Sequence, residues 1–228
     1  MLCIFPQMLD SISNLLTSKI TRKKLGIFLQ KHKTDKKILD LGSSRGPYRA
    51  LFPNALTVDI DEAAKPDIVA DAHNMHMLKD GEFEIILCTE MLEHLYNPFK
   101  GIEEMARVLR PGGKLILTTR FVYPIHESPH DYFRFTKYGL QKLLEPYFDQ
   151  IMIEEEAGTI ETLAILVQRI GFQTETLGMK WPKVIWHIKA KILLLFKFLL
   201  TKEYGDIRNE KVEKSILVSG YYLTAVKK

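Results

Sequence analysis

Cysteine is scarce in this chain: Cys3 and Cys88 are the two among 228 residues. Two thiols in unlike contexts build neither a disulfide framework nor a thiolate metal cluster, so a reducing, cytoplasmic location is expected. Net charge is equally spare. With 32 basic and 28 acidic residues the formal balance is +4, too mild to argue for a nucleic-acid partner. No apolar run is long enough for a bilayer core of about 30 Å; the nearest, residues 188–200, is interrupted by Lys189, Lys191 and Lys197. The apolar start at residues 1–5 has no basic residue before it and is broken by Pro6 and Asp10, so a secretory signal is not expected. Internal repeats, low-complexity tracts and the G-x-G-x-x-G dinucleotide fingerprint are all missing. His and Cys spacings typical of zinc are missing too, and no metal is expected.

What the chain does have is apolar content, 46% of its residues, enough to bury one full core with appended elements. A helix is expected within residues 9–29, from the spacing of Leu9, Ile12, Leu15, Leu16, Ile20, Ile27 and Phe28. Short, nearly continuous apolar runs predict strands at 37–41, 55–59, 67–70, 84–88 and 114–119, the pattern of parallel strands covered on both faces. Residues 98–109 carry Phe99, Ile102, Met105, Ala106 and Leu109 at helical spacing, and Pro111-Gly112-Gly113 follows as a stop and a turn. A helix at 136–147 and strands at 150–155 and 216–226 complete the pattern. Strand and helix alternate, which predicts an α/β fold: a doubly wound, mostly parallel, seven-stranded sheet with a helical insertion before its last strand. The whole of 1–228 is read as one domain, with 1–35 as a leading helix and 158–215 as the insertion. Ligands of such sheets bind beyond the carboxyl ends of the strands.

At the first of those ends stands Asp40-Leu-Gly42-Ser43-Ser44-Arg-Gly46, where two glycines allow a tight turn that brings backbone N–H groups close to a ligand. Asp59 closes the second strand, 19 residues beyond Asp40, and an ionised carboxylate there can accept from both hydroxyls of a ribose. It could instead cap a turn, as Asp61 or Glu62 could. Asp71-Ala72 after the third strand fits an adenine, the acid accepting from its amine and the small residue leaving room for the ring. The plainer role for Asp71 is that of a turn residue.

The segments LDLGSSRG, VDID, DIVADA, ILCTEMLEHLYNP and ARVLRPGGKLILTT, in this order and spacing, resemble the class I S-adenosylmethionine-dependent methyltransferases. The resemblance covers roughly residues 36–147. It implies a Rossmann-like fold and S-adenosylmethionine as cofactor, with Asp40, Gly42, Ser43, Ser44 and Gly46 around its methionine part. Asp59 and Ile60 would then meet the ribose, Asp71 and Ala72 the adenine, and Cys88, Thr89 and Glu90 the face shared with the substrate. Ser44 stands where a glycine is common.

Methyl transfer from a sulfonium is an in-line displacement, so alignment and desolvation dominate. A hydroxyl acceptor must also lose its proton, and histidine suits that task. His94 lies just past the fourth strand, and Tyr123-Pro-Ile-His126-Glu-Ser-Pro-His130-Asp131-Tyr132-Phe-Arg134 follows the fifth. The HESPHDYFRFT segment, with GPYRALF and KPDIVADA, resembles a methyltransferase subgroup associated with surface-glycan biosynthesis, which implies a sugar hydroxyl as acceptor. On that reading His130 or His126 is the base, Asp131 orients it, Arg134 or Tyr132 contacts substrate, and Glu90 and His94 are the reserves. The same residues could simply rigidify a loop. Two other functions stay open: a protein that binds the nucleoside without turnover, and an RNA methyltransferase with an extended basic groove.

From Gly178 onward eleven basic residues face four acidic ones, a local +7. There Trp181, Val184, Ile185, Ile188, Ile192, Leu195, Phe196 and Leu199 share one side of a helix with lysines at its margin. Residues 181–200 could lie in a membrane interface, close over the site as a lid, or form a homodimer face.

Overall fold

The computed structural model describes residues 18–42, 48–175 and 182–228. Its described residues divide into two compact units, one within 28–155 with 220–228, the other of 18–27 with 156–175 and 182–219.

The first unit is built on a seven-stranded sheet. Its strands are β1 (Ile38–Leu41), β2 (Ala55–Asp59), β3 (Ile68–Val69), β4 (Phe83–Thr89), β5 (Leu109–Arg120), β6 (Phe148–Glu155) and β9 (Gly220–Lys227), in the order β3-β2-β1-β4-β5-β9-β6. All neighbours pair in parallel except β9, which runs antiparallel to β5 and β6. The interior strands are apolar because both faces are covered: Ile38, Leu39, Leu41, Ile86, Leu87, Leu115, Ile116 and Leu117 are all buried. The chain departs in opposite directions from β1 and β4, so a crevice opens past their carboxyl ends. Register aligns those ends: Leu41 lies opposite both Val58 and Cys88, and Cys88 lies opposite Leu117.

Helix α2 (Pro98–Val108) starts where Asn97 accepts from the Lys100 N–H at 3.2 Å and Pro98 needs no donor of its own. It buries Ile102, Met105 and Ala106. Beyond it the structure departs from expectation. Strand β5 begins at once, with Leu109 paired to Phe83, then loops out over Arg110–Gly113 and resumes with Lys114 opposite Ile85. The Pro-Gly-Gly run is therefore an interruption inside a strand rather than its boundary, with Gly112 at φ +71°. Helix α3 (Lys137–Leu144) is capped by Thr136, whose Oγ1 accepts from the Gly139 N–H.

The leading helix is seen as α1 (Ile20–Gln30); the expected turns at 9–16 lie outside the described residues. Its last turn, from Phe28 onward, belongs to the sheet unit, and there Phe28 stacks on Tyr222 with centroids 4.7 Å apart. The second unit contains α4 (Thr159–Gln173) and α5 (Pro182–Leu194) packed together, and a hairpin of β7 (Glu203–Asp206) and β8 (Lys211–Glu213). The hairpin corrects the expectation of a wholly helical stretch. Gly205 permits it: a Cβ there would lie 2.4 Å from Glu213 Cγ. The helix expected to continue to residue 200 ends at Leu194, with a single 3-10 turn at Lys197–Leu199 after it.

Candidate active site

Along the aligned strand ends, β1 delivers Asp40, Leu41 and Gly42. Gly42 sits at φ +66°, and a Cβ added there would lie 2.7 Å from Met91 Cγ. Only glycine takes this turn without strain. Asp40 has its Oδ1 shielded from solvent and without a hydrogen-bond partner among the described residues. Burial pushes its carboxyl up to about 7, against the pull of Arg49 and with a push from Asp59. Ser43, Ser44 and Gly46 lie outside the described residues.

Asp59 ends β2, and its Oδ1 accepts from the Asp61 N–H at 3.0 Å, which holds the carboxylate at the rim. Asp61 takes the capping role, accepting from the Ala63 N–H at 2.9 Å. Ile60 between them is exposed. A different acid carries the β2–β3 connection: Asp67 accepts from the Thr57 N–H and hydroxyl at 2.8 and 2.7 Å, and these bonds lower its pKa.

Asp71 makes the turn that sequence reasoning allowed it. Its Oδ1 accepts from the His73 N–H at 2.9 Å and meets His73 Nδ1 at 2.5 Å. The Asn97 N–H donates to His73 Nε2 at 3.2 Å, so the proton of this imidazole sits on Nδ1. Ala72 beside it is buried, and the His73 ring lies against Tyr96 with centroids 3.9 Å apart.

On the other side, β4 ends in Cys88, Thr89 and Glu90. Cys88 is fully buried, which pushes its thiol well up and leaves it inert. Glu90 turns at φ +52°, its N–H donating to the Thr118 carbonyl at 2.9 Å, and its carboxylate pairs with the buried Arg120. The Arg120 guanidinium lies over Tyr123, 4.5 Å from the ring centroid.

Glu93 is the residue that sequence reasoning missed. It is completely buried; Oε2 accepts from the Thr119 hydroxyl at 2.7 Å, while Oε1 has no hydrogen-bond partner among the described residues. Burial raises its pKa. A Glu in an E-M-L-E-H run looks like a solvated helix face, so nothing in the sequence marks it. Its backbone carbonyl accepts from the Tyr132 and Phe133 N–H groups at 3.0 and 3.1 Å, which docks the 126–135 loop onto the 3-10 turn Leu92–His94. His94 completes the docking by donating Nδ1–H to the His130 carbonyl at 2.7 Å.

Of the two histidines expected beside Asp131, the loop brings His126 to it and not His130. Asp131 is buried and takes both ends of the Arg134 guanidinium at 2.6 Å each. It also accepts from the His126 N–H at 3.0 Å, with Oδ2 3.3 Å from His126 Nδ1. These bonds hold the Asp131 carboxyl down to about 2 in spite of burial. His130 instead meets the Tyr132 hydroxyl at 3.0 Å near the surface. Arg134 is committed to Asp131 and to the carbonyls of Phe133, Tyr123 and Pro124, so it anchors the loop rather than reaching outward. His126 and His94 meet edge to face, centroids 4.8 Å apart, and burial lowers the His126 pKa. One polar atom from each of Glu93, His94 and His126 lies within 4.8 Å of the other two.

Known proteins share much of this framework. Residues 39–117 match the family described as "Methyltransferase domain". That is about a third of the chain, and it runs from β1 to the middle of β5. The ubiquinone biosynthesis O-methyltransferase of Pseudomonas aeruginosa is 28% identical over 128 residues, covering 48% of this chain and 53% of that protein. The chain spans 25%, 23% and 53% of the first curated relatives it matches. Among solved structures, a SAM dependent methyltransferase from Archaeoglobus fulgidus aligns with TM-score 0.55 at 14% identity, covering 91% of this chain and 94% of that one. The [4+2]-cyclase SpnF aligns with TM-score 0.57, also at 14% identity, over 89% and 80%. The sheet is thus the Rossmann-like fold seen in solved S-adenosylmethionine-dependent methyltransferases, and residues 39–117, within it, are similar to a methyltransferase domain.

Proposed function

We propose that the chain is an S-adenosylmethionine-dependent methyltransferase that acts on an oxygen of a small molecule or a glycan. One observation carries the reading: a left-handed glycine bend at Gly42 and the carboxylate of Asp59 end adjacent parallel strands, with a histidine cluster just past the end of β4. The first pair suits a nucleoside bearing an amino-acid tail. The second suits an acceptor that must lose a proton.

The residues fit the cofactor on structural grounds. Asp40 has an oxygen shielded from solvent and without a hydrogen-bond partner among the described residues beside the glycine bend, the environment that an ammonium would relieve. Asp59 is held at the rim for a ribose, Ile60 offers exposed apolar surface next to it, and Ala72 and Asp71 follow at the end of β3. Thr89 and Glu90 close the floor. When bound, S-adenosylmethionine supplies a methyl group on a positively charged sulfur. The chain's own work is to align the acceptor and exclude water. His94, His126 and Asp131 form the acceptor-activating group with Glu93, while His130 and Tyr132 at the loop surface contact the acceptor. Ubiquinone biosynthesis in the relative named above, and the glycan link of the HESPHDYFRFT segment, both favour a hydroxyl acceptor. A reducing, cytoplasmic setting agrees with a free, buried Cys88.

Among the described residues no helix is long and apolar enough to cross a membrane. A peripheral contact is supported instead by exposed Leu195, Phe196, Phe198 and Leu199 beside Lys189, Lys191 and Lys197; Trp181 lies outside the described residues. Sedimentation with anionic and with neutral vesicles tests it, and a homodimer seen by light scattering without vesicle binding would overturn it.

The deciding experiment is calorimetric titration with S-adenosylmethionine and S-adenosylhomocysteine, followed by product detection with a panel of hydroxyl acceptors. Tight binding of both nucleosides with methylated product is expected. Binding without turnover on any acceptor class would leave a nucleoside-binding protein; no binding would end the proposal.

A further inference from the structure

We infer that Glu93, His94 and His126 bind a divalent cation of the zinc class. The donor set is two imidazoles and one carboxylate, with their ligating atoms already within 4.8 Å of one another. Imidazole with carboxylate suits Zn2+, Co2+ or Fe2+ better than Mg2+ or Ca2+, and three protein ligands leave positions open for an exchangeable oxygen.

The surroundings of each ligand argue for a cation. Glu93 is wholly buried, and its Oε1 has no hydrogen-bond partner among the described residues, a costly state for a carboxylate unless a positive charge accompanies it. Thr119 holds its other oxygen and so fixes its orientation. His94 gives its Nδ1–H to the His130 carbonyl, which leaves the Nε2 lone pair for a metal. His126 has a carboxylate, Asp131 Oδ2, 3.3 Å from Nδ1. The carbonyl behind His94 is the usual support for a metal-bound histidine, and Asp131 Oδ2 stands near enough to take that part for His126 once its ring turns. The Arg120 and Arg134 guanidiniums also act on the Glu93 carboxylate electrostatically, while Arg120 pairs with Glu90 and Arg134 with Asp131.

Metal–nitrogen and metal–oxygen bonds of about 2.0–2.2 Å at tetrahedral angles set neighbouring ligand atoms roughly 3.4 Å apart. From 4.8 Å, the widest separation must therefore close by more than about 1 Å. The His126 ring can supply that movement, because Nδ1 makes no hydrogen bond.

The role of the cation rests on the methyltransferase reading. An acceptor hydroxyl in the open position would have its pKa lowered. Its proton leaves to water, the oxygen forms the new O–CH3 bond, and the C–S bond breaks with its electron pair going to sulfur. His94 and His126 then serve as ligands, and no imidazole has to act as the base.

The untagged full-length chain, stripped with a chelator, is titrated with Co2+ and followed by visible absorption, then with Zn2+ by calorimetric competition. One equivalent should bind, and Glu93→Gln and His94→Ala should each weaken binding about 100-fold or more. His126→Asn serves as the third variant, and circular dichroism confirms that each folds. His76→Ala, at an exposed histidine outside the cluster, should bind Co2+ like the parent chain. Absence of Co2+ binding at millimolar concentration, or equal affinity in Glu93→Gln and His94→Ala, would overturn the inference. Nucleoside affinity, measured with and without chelator, separates the two proposals: cation binding without S-adenosylmethionine binding would remove the methyltransferase reading alone.

Discussion

Asp131 receives the Arg134 guanidinium through two hydrogen bonds of 2.6 Å, and through this pair it is aimed at His126 rather than at its sequence neighbour His130. Arg134 binds three loop carbonyls as well. Lysine in its place keeps the charge but loses the planar fork. Arg134→Lys should therefore lower turnover by tenfold or more and cost about 1–3 kcal/mol of stability, with nucleoside affinity unchanged. In the same assay His126→Ala should lose far more activity than His130→Ala. The reverse order would return the chemistry to His130.

Asp59 is the proposed ribose anchor. Two charge-assisted hydrogen bonds are each worth about 1.5–3 kcal/mol, and solvent at the rim reduces that sum. Asp59→Ala should weaken S-adenosylmethionine binding by about 10–100-fold by calorimetry, with an unchanged melting temperature. Equal affinity would remove the ribose assignment.

Gly42 is constrained twice, by its positive φ and by Met91, whose Cγ lies 2.7 Å from the place a Cβ would take. Gly42→Ala should cost on the order of 1–3 kcal/mol and abolish nucleoside binding. Adding Met91→Ala should recover part of the stability, because it removes the clash but not the backbone strain. No recovery in thermal melts would mean that φ alone accounts for the loss.

Asp40 predicts a pH dependence. Its folded pKa is raised from 3.8 to about 7, so its contribution is fully present below about pH 4 and is lost as pH rises through 7. The difference amounts to roughly 4 kcal/mol as an upper bound. Asp40→Asn should therefore gain stability relative to the parent chain as pH rises from 4 to 8, as read from denaturant midpoints. Parallel curves for the two proteins would show that the carboxylate ionises without penalty.

Arg107 separates structure from function. It pairs with Glu104 and Asp80 and donates to the carbonyls of Met75 and Leu78, pinning the connection after β3 onto α2. Glu104 also accepts from the Met75 N–H at 3.0 Å. Arg107→Ala should cost about 3–5 kcal/mol by leaving Glu104 nearly buried and unpaired. Nucleoside affinity, measured below the new melting temperature, should stay within a few-fold.

Legibility varies with how local the cause of each feature is. Strand β2 ends at Asp59 as its sequence indicates, because an apolar run ended by an acid is a local signal. The Pro-Gly-Gly interruption inside β5 looks like a boundary in the sequence, since pairing with Phe83 on β4 is a non-local fact. The β7–β8 hairpin looks helical there for the same reason. In the candidate site, Gly42 and Asp59 are legible because strand ends face the crevice in any doubly wound sheet. Which of His126 and His130 meets Asp131, and the burial of Glu93, are not.

Residue order and hydrophobic period alone determined the sheet, its class and the edge on which ligands bind, because continuous apolar strands must be covered on both faces and joined by right-handed crossovers. Tertiary structure decided which polar groups meet. Glu93 became a buried, half-satisfied carboxylate near two imidazoles only when the loop after β5 docked on the turn after β4. That contact spans about 30 residues of chain and obeys no periodic pattern, so chain folding and desolvation settle it and composition does not.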